Sequence, residues 1–175
     1  MALRLGFVQL VPGVSDPMGR SILYVDPSVQ DRRLYSRENM CRAVWYTIFA
    51  ALESETAQRH GIIVLSNNSR ATFGQSDTRL SRMVINALQG AIPVRLSAFH
   101  ICHPPSYVAG TFAIAKLFMS ARTRKRFLIQ NGSAEEVLRS LGEYGMSTSV
   151  IPAPLAGGVK LDHERWLHNR RLMGH

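Results

Sequence analysis

The spacing of apolar residues changes several times along the chain, and each change predicts an element. Turn residues at Pro12-Gly13 and over 16–19 precede the apolar residues 22–25, so we expect turns followed by a strand. Residues 38–59 carry apolar side chains at helical spacing, which predicts one long amphipathic helix. Residues 61–65 are rich in β-branched side chains and apolar on both faces, which is typical of a central parallel strand covered by helices.

The second half of the chain repeats the alternation of helix and strand. Asp77 or Thr78 is a suitable cap for a helix that ends near Gly90 and Pro93. The remaining segments predict strands at 94–102 and 127–129 and helices at 134–141 and 162–171. Because strand, helix and strand follow one another, we expect right-handed crossovers and a mostly parallel central sheet flanked by helices. The length of 175 residues fits one α/β domain over residues 1–175.

Residues 106–119 have an unusual pattern, because apolar side chains surround this predicted helix and only Lys116 interrupts them. A helix that is apolar all round must be buried on more than one side. Two interpretations follow: a helix inside the core, or a helix that lies between an internal cavity and an apolar environment outside. The pattern alone leaves both open.

Composition narrows the class of partner. A net charge of +9 and a pI of about 10.4 attract polyanions, which include nucleic acids, anionic membrane surfaces and phosphorylated ligands. Basic and aromatic residues do not combine into a base-stacking motif, so nucleic acid is the less favoured partner. The basic residues 122–126 form either a solvated face or a headgroup contact. No secretory signal is recognised, and two apolar-flanked cysteines fit a reducing, cytoplasmic compartment.

Candidate chemical groups are few. His100 and Cys102 share one face of their predicted strand while His103 points to the other, so the three do not converge on a metal. Neither cysteine has an Arg six positions later, as a cysteine-dependent phosphatase requires, and no nucleophile elbow or phosphate-binding glycine loop occurs. We therefore expect no catalytic residues, no metal and no cofactor.

Several motifs, taken in order, resemble the CRAL-TRIO family of lipid-binding domains. Residues 16–23 keep Gly19-Arg20 of its opening turn, with Ser21 where proline is usual, and residues 61–65 resemble its central strand. The other similar segments are residues 91–95 and 99–101 ("Tyr-Pro-Glu-Arg" and "His-Ile-x-Asn-Ala-Pro"), 118–126 ("Phe-Leu-Ser-x-Lys-Thr-Arg-Lys-Lys") and 151–158 ("Leu-Pro-x-x-x-Gly-Gly"). The order of these motifs covers nearly the whole chain. The helical region that precedes the domain in this family is not recognised, which is consistent with a fragment, a divergent member or a domain that works without it.

The resemblance implies a hydrophobic pocket closed by a gate helix, which falls on residues 106–119. The expected function is to bind, and possibly transfer, a phosphoinositide or another membrane lipid during transient contact with an anionic membrane. The residues expected to line the pocket lie on the two central strands or on the gate: Ile63, Leu65, Phe99, Ile101, Val108, Phe112, Ala115 and Met119.

Headgroup or membrane contacts are expected from the basic segment that follows the gate, namely from Arg122, Thr123, Lys125 and Arg126. Thr123 and Arg126 correspond to a Thr and a Lys of inositide-binding members, but Val94 stands where those members have the acidic partner of that Lys. Two alternatives remain open: a regulatory interaction domain whose pocket is filled by its own side chains, and a basic domain that binds polyanions.

Overall fold

A five-stranded sheet forms the centre of the computed structural model, which describes residues 2–90 and 93–174. The strands are β1 (Val8–Ser15), β2 (Ser21–Val25), β3 (Ile62–Asn67), β4 (Leu96–Cys102) and β5 (Phe127–Gln130). They lie side by side in sequence order; β1 is antiparallel to β2, and the pairs β2–β3, β3–β4 and β4–β5 are parallel. The expected α/β fold with a mostly parallel sheet is therefore confirmed.

The helices connect and cover these strands. They are α1 (Arg37–Ala51), α2 (Glu55–His60), α3 (Thr78–Gly90), α4 (Val108–Lys116), α5 (Ala121–Arg124), α6 (Ala134–Glu143) and α7 (His163–Leu172). Since β2 to β5 follow one another in space as in sequence, right-handed crossovers place the connecting helices on one face. In agreement, side chains of α1, α3 and α4 pack on the same face of the sheet.

The opposite face is covered by α6 and the segment after it, which we call the α6 layer. Its core residues, each at most 1% exposed, are Ile63 and Leu65 of β3 with Val137, Leu141, Met146, Ile151 and Leu155. Ser133 caps α6, and its side chain and that of Glu136 bond reciprocally to backbone N–H groups. This layer provides a closely packed support for the sheet.

Two sequence-based expectations are changed by the structure, and a third lies partly outside the described residues. Pro12-Gly13 is not a turn between elements but a bulge within the edge strand β1, where the register with β2 shifts and Gly13 has φ 71°. The single helix expected over residues 38–59 is two helices, because Ser54 caps a new helix by accepting a hydrogen bond from the N–H of Ala57. In the motif over residues 91–95, Ala91 and Ile92 lie outside the described residues.

Candidate functional site

A cavity of about 260 Å³ lies between the sheet and the helices α1, α3 and α4. Its sheet side is formed by β2, β3, β4 and the start of β5, and its roof by α3 and α4. Most of its walls are apolar: Leu23, Val25, Ile62, Val64, Leu96, Phe99, Ile101, Val84, Ile85, Leu88, Val108, Phe112, Ala115, Phe118, Met119 and Phe127. A cavity with such walls excludes water in favour of an aliphatic or aromatic ligand.

Six of the eight residues expected at the pocket do line this cavity: Phe99, Ile101, Val108, Phe112, Ala115 and Met119. The expectation for Ile63 and Leu65 is wrong, because both side chains lie in the α6 layer on the other face of the sheet. The neighbouring residues Ile62 and Val64 face the cavity instead. Successive side chains of a strand point to opposite faces, so an error of one residue exchanges the two layers.

Helix α4 covers the cavity and has apolar side chains on both its inner and outer sides. Val108 and Phe112 are 9% and 8% exposed and face inward, and the Phe112 ring lies 5.7 Å from the ring of Phe127 between centroids. Leu117, directly after α4, is 78% exposed and does not line the cavity, whereas Ile114 lines it and is 46% exposed. This arrangement fits a cover over a cavity and not a helix enclosed by the core.

The polar part of the cavity wall lies at the carboxyl ends of the parallel strands. It is formed by Ser66 of β3, by Asn68 just beyond that strand and by residues of the loop that precedes α3. Phe73 of that loop is 68% exposed and contacts Tyr107, just before α4, with ring centroids 5.7 Å apart. The contact joins the loop to the cover at this end of the cavity.

Asp77 carries the only charged side chain that lines the cavity in the described parts of the chain. It is held at the start of α3, where it accepts hydrogen bonds from the N–H of Leu80 (3.0 Å) and from Nε of Arg37 (2.9 Å). Burial raises the pKa of Asp77, but these bonds outweigh burial and the net effect is a lowered pKa. The wall therefore offers an ion-paired carboxylate and no free cation.

The positive charge of the chain is concentrated beside the cover. Residues 78–134 contain eight Lys or Arg and no Asp or Glu, which accounts for nearly all of the net +9. This segment includes α3, α4, α5 and the strands β4 and β5. Lys116, Arg122 and Lys125 are exposed, as is Leu117 in the same segment, and no ion pair involves these three cations in the described residues. The absence of acidic residues over 57 consecutive positions is visible in the sequence and indicates a basic surface, but the overall composition does not reveal it.

None of the four residues expected to contact a headgroup lines the cavity in the described structure: Arg122, Thr123, Lys125 and Arg126. The Thr123 hydroxyl donates to Oε1 of Gln89 (3.2 Å), and Nη1 of Arg126 donates to the carbonyl of Ser97 (3.1 Å). Arg122 and Lys125 remain exposed to solvent. The structure therefore separates these residues into two with internal partners and two that are available at the surface.

His100 and Cys102 lie on the face of β4 that is opposite the cavity, and both are fully buried. Nδ1 of His100 is 3.0 Å from Nε2 of Gln130, and its ring packs edge-on against Tyr144. Burial raises the pKa of Cys102 to about 12, so its thiol is protonated and unreactive. No group of three potential ligands that could hold a metal occurs in residues 2–90 and 93–174.

Comparison with known proteins agrees with this geometry. Residues 6–144 match the model of the CRAL/TRIO domain family. The chain is 26% identical over 168 residues to mouse alpha-tocopherol transfer protein-like and 24% identical over 163 residues to mouse clavesin-2. These matches cover 94% and 91% of this chain but 47% and 48% of the relatives, so the chain spans about half the length of either protein.

The fold also resembles a solved structure, the crystal structure of Sfh5. The match has a TM-score of 0.55 and 15% sequence identity, and it covers 70% of this chain and 48% of that chain. At this identity the likeness concerns the fold alone. Among the described residues, no helix combines the length and apolar character needed to cross a bilayer.

Proposed function

Because this chain belongs to the CRAL/TRIO domain family, we propose that it carries a hydrophobic ligand in the cavity under α4 and exchanges it at an anionic membrane surface. The observation that carries the proposal is the cover itself, which lies over an apolar cavity on its inner side and ends at Leu117, which is exposed on the outside. We infer a carrier that performs no catalysis and needs no cofactor besides its ligand.

The cavity supports the ligand-binding part of this proposal. Its volume of about 260 Å³ is near the lower end of small-molecule sites, which begin at roughly 300 Å³. Each methylene transferred from water to such walls contributes about 0.8 kcal/mol, so a short aliphatic chain or a small ring system suffices for retention. One relative is named for tocopherol transfer, which is consistent with a hydrophobic ligand.

The cavity also bears on the alternative of a regulatory domain with a vestigial pocket. Such a domain would fill the space between sheet and cover with its own side chains, since protein interiors pack to the density of organic crystals. A gap of about 260 Å³ favours a ligand-binding role instead.

The surface beside the cover supports the membrane part. Each basic residue near an anionic leaflet contributes about 1 kcal/mol of attraction, and anionic lipids are concentrated on the cytoplasmic side of cell membranes. Leu117 lies between Lys116 and Arg122 and adds exposed apolar surface that nucleic acid would not bury. This combination favours transient binding to a cytoplasmic membrane surface over binding to nucleic acid.

The ligand-binding part is tested by mass spectrometry of the organic extract from natively purified protein. We expect a hydrophobic compound in near-stoichiometric amount. Phe112→Asp places a charge in the cavity and should abolish retention, whereas Ala113→Asp places the same charge on the exposed side of the same helix and should leave retention intact. A wild-type extract without ligand, or equal retention in both variants, would contradict the proposal.

The membrane part is tested by sedimentation with vesicles of phosphatidylcholine, with or without phosphatidylserine. Arg122→Glu with Lys125→Glu should greatly reduce binding to the anionic vesicles. The matched control is Arg139→Glu with Arg165→Glu, which reverses two exposed charges on α6 and α7. Equal loss in both double variants would mean that net charge, and not this surface, drives binding.

A further inference from the structure

Besides the ion-paired Asp77, two buried polar side chains interrupt the apolar wall of the cavity in the described chain. Along β3, Ile62 and Val64 face the cavity, followed by Ser66 on the same face and by Asn68 just beyond the strand. Ser66 is 4% exposed and Asn68 is 8% exposed. A hydroxyl and a carboxamide at this depth are costly unless each polar atom has a partner.

Hydrogen bonds within the protein use only part of this pair. Nδ2 of Asn68 donates to the carbonyl of Ser66 (3.0 Å), to Oγ of Ser66 (3.1 Å) and, at 3.5 Å, to the carbonyl of Cys102. Because two of these neighbours are carbonyl oxygens, the amide nitrogen must occupy this side, and Oδ1 is turned away from them. One donor, the Ser66 hydroxyl hydrogen, and one acceptor, Oδ1 of Asn68, have no protein partner among the described residues.

Other polar side chains at this end of the cavity differ from the pair. The hydroxyls of Ser81 and Thr111 donate to backbone carbonyls within their own helices or turns, and Nε2 of Gln75 donates to the carbonyl of Ser28. Gln30 and Ser76 lie at the rim, where water reaches them. Among the lining polar side chains that are at most 8% exposed in the described chain, Asp77 is ion-paired, and the pair of Ser66 and Asn68 has an unmatched donor and an unmatched acceptor.

We propose that Ser66 and Asn68 hold the hydroxyl group of an uncharged lipid alcohol, a conclusion that rests on the proposed ligand-binding function. An alcohol can accept a hydrogen bond from the Ser66 hydroxyl and donate one to Oδ1 of Asn68, which satisfies both groups at once. A phosphate would need a cation, and the described lining contains no Lys or Arg but only the Asp77 carboxylate. The cavity thus selects against anionic headgroups, although the outer surface attracts them.

The test compares three ligands with the same chain, 1-decanol, decyl methyl ether and decyl phosphate, by calorimetric titration of the intact protein. The ether keeps the acceptor oxygen but cannot donate to Asn68. We expect 1-decanol to bind at least about tenfold more tightly than either of the others, because a site built to bond a hydroxyl rejects analogues that leave its groups unpaired.

Ser66→Ala should remove most of this preference while the ether still binds. Asn68→Leu should act in the same direction, and its thermal midpoint shows whether the loop is intact. Ser69→Ala removes an exposed hydroxyl one residue away from Asn68 and should change nothing.

The outcomes separate the two proposals. If none of the three ligands binds and the natively purified protein contains no lipid, the proposed function itself fails. Equal affinity for alcohol and ether, unchanged in Ser66→Ala, would refute the hydroxyl site while leaving the cavity as a ligand site. Preference for decyl phosphate would overturn the conclusion that the ligand is uncharged.

Discussion

Val64 and Leu65 are adjacent on β3, yet one faces the cavity and the other faces the α6 layer, so substitutions at the two positions should have opposite effects. Leu65 is 0% exposed and is enclosed by the well-packed residues of α6 and the segment after it. Leu65→Ala should lower the free energy of unfolding by about 3 kcal/mol, because methyl groups are lost and a new cavity remains. For a chain of this length, that corresponds to a decrease of roughly 6–12 °C in Tm.

Val64→Phe adds a ring on the other face. Overpacking a filled core usually costs about 1–3 kcal/mol, but here the ring enters a space of about 260 Å³, so Tm should change by no more than about 2 °C. The same ring occupies volume that the ligand needs, so the amount of co-purified lipid should fall.

Differential scanning calorimetry gives the Tm of both variants. Mass spectrometry of lipid extracted from protein kept below its Tm gives the amount of bound ligand. We expect Leu65→Ala to be unstable but loaded, and Val64→Phe to be stable but depleted. The reverse result, with lipid lost from Leu65→Ala and retained by Val64→Phe, would refute the assignment of the two layers.

Three further substitutions test other parts of the fold. Burial, with the nearby charge of Arg20, lowers the pKa of His100 to about 4 from 6.5, so the unfolded chain takes up this proton first as the pH falls. The free energy of unfolding should therefore decrease by about 3 kcal/mol between roughly pH 6.5 and 4 and then level off. His100→Gln should flatten this slope in urea titrations, and an unchanged slope would show that another group is responsible. Gly110→Ala adds a methyl group to α4 at a position where no neighbouring atom lies within 4 Å. Tm should rise by about 2–4 °C because the helix gains about 1 kcal/mol. A lower Tm would indicate a hidden clash. Arg170→Met removes hydrogen bonds to Glu53 (2.6 and 2.7 Å) and Tyr46 (3.1 Å). The free energy of unfolding should fall by about 1–2 kcal/mol, and proteolysis within α7 should become faster. Unaltered proteolysis would mean that α7 is anchored elsewhere.

The sequence predicts the sheet and the cover well because their apolar patterns are long and unusual. The strand over residues 61–65 is apolar on both faces, and the structure confirms that it is central and covered on both sides. The same property hides which residues face the cavity, because no alternation distinguishes Val64 from Leu65. The predicted pocket residues of β3 and β4 are all odd-numbered. In the structure, a register shift between the two strands places the even-numbered Val64 opposite the odd-numbered Phe99, so the two strands face the cavity with different series.

Other differences come from local signals that compete with a longer pattern. The apolar periodicity reaches Leu52 without a clear stop signal, although Ser54 followed by Glu55 is a suitable start for a new helix. Pro12-Gly13 carries strong turn chemistry, but an edge strand tolerates Pro and accommodates the extra residues as a bulge. A signal for the polar end of the cavity was present in Ser66 and Asn68, which continue the series of Ile62 and Val64 with polar side chains.

The residues proposed to attract a membrane and the residues proposed to select the ligand lie at opposite ends of the parallel strands. Ser66 lies at the carboxyl end of β3, whereas Arg122 and Lys125 precede β5 and so lie near the amino ends of the parallel strands. Substitutions at sites that share no partners usually act independently. We therefore expect Ser66→Ala to leave vesicle binding unchanged and the Arg122→Glu, Lys125→Glu variant to keep its preference for 1-decanol over decyl phosphate. If reversing the surface charges altered that preference, the basic residues would take part in selecting the ligand. The cavity wall alone would then not explain why an uncharged ligand is preferred to an anionic one.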